Sequence, residues 1–96
     1  MEKRIRELFP DITWIKDKSL QDKVVASYVD ALTTGGWEPD DMDRIPFTLL
    51  IPNCPFTYLD HVRGVVRIAK RAMDEFNEIY PRKDPKFRLD SDLLVA

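Results

Sequence analysis

The segment from Tyr58 to Tyr80 constrains this chain most, because its apolar and charged residues separate completely when it is wound as a helix. Each residue turns about 100° around the axis. With His61 set at zero, Val62, Val65, Val66, Ile68, Ala69, Ala72, Met73, Phe76, Ile79 and Tyr80 occupy one arc, from about −20° to about 140°. Arg63, Gly64, Arg67, Lys70, Arg71, Asp74, Glu75, Asn77 and Glu78 occupy the rest. Thr57 is the expected N-cap, with Asp60 at the third helical position to complete a capping box. Pro81 ends the helix, since proline lacks the backbone donor that a further turn needs. The expected fold is therefore all-α, with helices packed around this arc.

The remaining elements are placed by caps and breakers. Ser19, followed by Asp22, reads as the start of an earlier helix, with Leu20, Val24, Val25, Tyr28, Ala31 and Leu32 at helical spacing. Gly35-Gly36 supplies a left-handed stop near Thr34, after which Trp37 is expected to fold back onto the core. Upstream, Ile5, Leu8, Phe9, Ile12, Trp14 and Ile15 suggest a short helix and a turn around Pro10. From Glu38 to Pro55 the four prolines, Pro39, Pro46, Pro52 and Pro55, argue for an ordered loop. Phe47–Ile51 reads as an extended apolar segment rather than a strand, because no partner strand is visible.

After the polar link Arg82–Arg88, Asp90 or Ser91 starts another helix that leads into Leu93-Leu94-Val95-Ala96. Asp90 as its cap would let Leu89 and Leu94 close a hydrophobic staple. A capped, apolar helix is expected to run two or three turns and close on Gly, Pro or basic residues. The chain is accordingly expected to be the N-terminal part of one helical domain, residues 1–96, without an internal boundary and with its remainder beyond Ala96.

Composition excludes several classes. With 44% apolar and 33% charged residues the 96-residue chain has the balance of a folded domain rather than of a disordered one. No apolar run approaches the roughly 18 residues of a membrane-spanning helix. The start, Met1-Glu2-Lys3-Arg4-Ile5, lacks the apolar core of a signal peptide, and the single cysteine, Cys54, suits a reducing compartment, so the cytoplasm is the expected location. A net charge of −2 gives no general attraction to nucleic acid or anionic lipid.

His61 is the only histidine, and it stands in the first turn of the long helix inside the apolar arc. An imidazole there needs partners for its nitrogens. It can be a metal ligand, or it can pack against Phe56 as a hydrophobic staple. Arg63, Arg67, Lys70 and Arg71 form a basic strip that could meet a phosphate or could be a solvated face balanced by Asp74, Glu75 and Glu78. Cys54, with no second cysteine and Pro55 beside it, reads as an inert thiol. Asp40, Asp41 and Asp43 lack the spacing of a cation loop and are expected to cap a turn or stay solvated.

The stretch Thr57-Tyr58-Leu59-Asp60-His61-Val62-Arg63-Gly64-Val65-Val66-Arg67-Ile68-Ala69 resembles the opening helix of the HD-domain superfamily of metal-dependent phosphohydrolases. The ending Asp90-Ser91-Asp92-Leu93-Leu94-Val95-Ala96 resembles the run that leads there into the paired His-Asp motif. Lys18–Trp37, with Gly35-Gly36-Trp37, is similar to the N-terminal region of such hydrolases. The resemblance implies an HD-like helical bundle, of which this chain holds an incomplete part. It also implies His61 as the first ligand of a divalent metal (Mn, Mg, Fe, Ni or Zn), with Arg63 the nearest phosphate contact. The implied substrate is a phosphorylated small molecule or nucleotide, and a homo-oligomer is compatible. The His-Asp pair and the later aspartate of the family have no counterpart here, so the fragment alone is expected to be inactive. The competing expectation is a non-enzymatic helical binding module with a structural histidine.

Overall fold

The computed structural model describes all 96 residues and is all-α. Helix α1 spans Glu2–Leu8, α2 Lys18–Gly35, α3 Tyr58–Ile79 and α4 Ser91–Val95, and short 3-10 turns at Pro10–Trp14, Pro39–Arg44 and Tyr80–Arg82 join or extend them. The only β-type contact is an isolated antiparallel bridge between Pro46 and Thr57. No helix is long and apolar enough to cross a membrane.

Each boundary has a local cause. Helix α2 begins two residues earlier than its first serine suggests. Asp17, not Ser19, is the N-cap, and its carboxylate accepts from the Ser19 and Leu20 amides. Asp22 instead receives Lys18 at 2.5 Å and Arg6 at 2.8 Å, and these cations hold its carboxyl below the usual range. The helix stops where Gly36 turns left-handed at φ 72° and the Trp37 amide reaches back to the Leu32 carbonyl. Trp37 does not fold into the core as expected. Its ring lies beside Gly35, so tightly that a Cβ there would sit 2.6 Å from it, and half of the side chain stays exposed.

Helix α3 begins as expected: the Thr57 hydroxyl accepts from the Asp60 amide while the Asp60 carboxylate accepts from the Thr57 amide. Asp90 caps α4 by accepting from the Leu93 amide. Within the Pro-rich loop, Glu38 and Asp41 make a capping box around the Pro39–Arg44 turn. The acidic cluster is spent on structure: Asp40 pairs with Arg4 at 2.6 Å and Asp43 accepts from the Thr57 hydroxyl at 3.2 Å. Phe47–Ile51 forms no strand.

The core is smaller than the arc on α3 suggests. Ile5, Phe9, Ile12, Val25, Leu32, Met42 and Leu59 form one buried cluster, with Leu8, Val24, Tyr28, Val29, Tyr58 and Val62 packed against it. Helix α3 therefore contributes its first turns to the main core. Farther along, Met73 is buried, whereas Val65, Ile68, Phe76 and Ile79 are exposed. The arc splits lengthwise into a covered edge and an open one.

Candidate functional site

The bridge between Pro46 and Thr57 shapes the surroundings of His61. The Phe47 amide donates to the Phe56 carbonyl and the Tyr58 amide to the Ile45 carbonyl, both at 2.8 Å. This pinch brings Phe47 over the first turn of α3, where its ring stacks on His61 with centroids 4.3 Å apart and planes 28° apart. Phe47, Phe56, Asp60 and His61 line a shallow notch. Phe47, rather than Phe56, gives His61 its aromatic contact. Nothing in the spacing of Phe47 from His61 announces this; the loop geometry creates it.

His61 is exposed, and its backbone amide closes the first turn onto the Thr57 carbonyl. Neither ring nitrogen makes a hydrogen bond within the chain, so both are left to water, a metal or a partner. The neighbouring Asp60 carboxylate is held by the cap. His61 is thus available as one metal ligand, and no group of three or more His, Cys, Asp or Glu side chains stands close enough to hold an ion here. Cys54 is half-buried and its Sγ lies 3.5 Å from the Phe56 carbonyl, on the backbone side of the pinch.

Arg63 does not join His61. Two residues along a helix diverge by about 200°, and Arg63 turns inward to Asp11 of the first 3-10 turn, with Nε 3.5 Å from Oδ2. Both atoms are buried without a hydrogen bond, and the Asp11 side chain is 13% exposed. The pair borders a cavity of about 50 Å³ also lined by Phe9, Tyr28, Val66 and Val95. Burial there pushes the Tyr28 phenol up, with the neighbouring Tyr58 hydroxyl adding to the shift. Of the rest of the basic strip, Lys70 pairs with Asp74, while Arg67 and Arg71 stay on the exposed face.

A second carboxylate has a defined task that the sequence does not reveal. Asp92, in the first turn of α4, accepts from the backbone amides of Lys16 and Asp17, each at 2.9 Å. The Lys16 amide and then the Asp17 amide lower its pKa. This clip seats α4 against the segment that leads into α2. No protein-family profile, curated protein or solved structure matches the chain.

Proposed function

We propose that this chain is the front part of a metal-dependent phosphohydrolase of the HD type, acting in the cytoplasm on a phosphorylated small molecule or nucleotide. One observation carries the reading: His61 leaves the first turn of α3 exposed, with both ring nitrogens free of hydrogen bonds to the chain. In this reading His61 is one ligand of a divalent metal, and the other ligands come from residues outside this chain. A metal bound there supplies an activated water and polarises a phosphoryl oxygen. The chain's own part is to orient the imidazole. Phe47 fixes the ring plane, and the capping box of Thr57 and Asp60 fixes the turn that carries it. Arg63, committed to Asp11, is not assigned a phosphate.

The test is hydrolysis of phosphomonoesters, phosphodiesters and nucleotides by a protein that carries this chain together with the missing ligands. His61→Ala should abolish the metal-dependent activity and leave the helix signal in circular dichroism unchanged. In the chain alone, Mn²⁺ should broaden the His61 ring resonances before any others. Activity that survives His61→Ala overturns the reading. The second reading, a helical interaction module, is favoured by the Phe47–His61 stack. In that case His61→Ala lowers stability and no metal broadens the ring.

A further inference from the structure

The open edge of α3 is a regular row. Val65, Ile68, Ala72 and Ile79 follow one another at intervals of three, four and seven residues, the spacing of a seam between two helices. Ile68 is 73% exposed and Val65 51%, and Phe76 lies beside the row, also exposed. Along one border run Arg67, Arg71 and Glu75, each four residues from the next. None of the three makes an ion pair within the chain, although Lys70, Glu78 and Arg63 on the same helix all do. The border is basic in its first half and acidic in its second.

We infer that this row seats the α3 helix of a second copy of the chain, packed antiparallel about a two-fold axis beside Ala72 and Met73. A two-fold contact must be complementary to itself, and the charge border meets that condition in one direction only. Antiparallel packing sets Arg71 opposite the partner's Glu75, and Glu75 opposite the partner's Arg71. It also sets Ile68 against the partner's Ile79, with the small Ala72 allowing close approach at the centre. Parallel packing would set the charged border against the partner's opposite flank, with Ala69 and Phe76, and would pair no charges.

The surface area agrees. The chain exposes 7095 Å², whereas a compact monomer of 11.3 kDa is expected to expose about 5,700 Å². The excess exceeds the roughly 800 Å² that each partner covers in a standard interface.

Sedimentation equilibrium of the full chain tests the inference. The expected result is a monomer–dimer equilibrium across concentrations from about 10 μM to about 1 mM, weakened by salt. Ile68→Glu, at an exposed position, should leave the circular dichroism unchanged and the chain monomeric. Arg71→Glu and Glu75→Arg should each prevent self-association, since each sets like charges at positions 71 and 75 opposite one another across the two-fold axis. An equimolar mixture of these two variants should form a one-to-one dimer. A wild-type chain that stays monomeric throughout, as it would if another protein or a further stretch of polypeptide covers the row, overturns the inference. So does a dimer that survives Ile68→Glu, or a mixture that stays monomeric.

Discussion

Asp92 is a half-buried residue with a large structural share, because one carboxylate satisfies two backbone donors that no helix or turn otherwise uses. Its folded pKa lies below the ordinary 3.8, so at acid pH the unfolded chain binds the proton more readily than the folded one. The clip is therefore complete above that ordinary value and is lost as pH falls through the lower folded value. On acidification the Lys16 and Asp17 amides should gain hydrogen exchange before the amides around Val25 do, and Asp92→Asn should show the same fast exchange already at neutral pH. Equal exchange at both places would refute the clip. Arg63 makes the opposite lesson. From position alone it could be a phosphate contact, but its pairing with the nearly buried Asp11 predicts that Arg63→Ala lowers stability by about 1–3 kcal/mol, because it leaves a buried carboxylate oxygen uncompensated. Urea unfolding measures this; an unchanged midpoint would return Arg63 to the candidate site. Neither pairing is legible in the sequence, since Asp11 is 52 residues from Arg63 by number and Asp92 is 76 from Lys16. Such partners become neighbours only after the chain has folded.

Helix α3 was the most legible element because everything that defines it is local: a capping box at one end, proline at the other and one apolar arc between. Thr57→Ala should cost about 1 kcal/mol in chemical denaturation, the usual worth of such a cap. Gly36→Ala should cost a similar amount, because φ of 72° strains any residue with a Cβ. A null effect at either would mean that the end frays in solution. Helix α2 was legible at its glycine end and misread at its start. Asp17 and Ser19 both suit an N-cap, and propensity alone does not choose between them. Asp17 wins because its own carboxylate reaches two amides, while Asp22, which would have closed a box with Ser19, is drawn outward by Lys18 and Arg6. The site followed the same division. The turn that carries His61 could be read from Thr57 and Asp60, but the ring that packs on it could not. Phe47 arrives through a bridge whose two hydrogen bonds join residues across the Pro-rich loop.

The same α3 arc that identified the fold class overstated how much of it is covered, because periodicity reports which residues are apolar and not how many layers surround them. The chain is flat and long, 48 × 34 × 18 Å, with a radius of gyration of 16.0 Å where about 12–13 Å is usual for its length. Its buried side chains gather at one end, among α1, α2, the Pro10–Trp14 turn and the start of α3. At the other end α3 is held by single devices. The Asn77 side-chain amide grips the Leu89 backbone at both ends, Oδ1 accepting from the Leu89 amide at 2.7 Å and Nδ2 donating to the Leu89 carbonyl at 3.1 Å, while Phe76 stacks on Tyr80 and Phe87 meets Tyr80 edge-on. Local stability follows local burial. Hydrogen exchange should therefore grade along α3, with the amides near Leu59 and Val62 opening only with the main core and those beyond Met73 opening much earlier. Asn77→Ala should widen the gradient by freeing the Leu89 segment, while Ile5→Ala, which empties a fully buried site, should cost about 2–5 kcal/mol and collapse protection everywhere. Raising the protein concentration should protect Ile68 to Ile79 selectively if the second copy sits on the open row. A flat exchange profile along α3 at every concentration would show that the helix is supported over its whole length by contacts that its exposed row does not reveal.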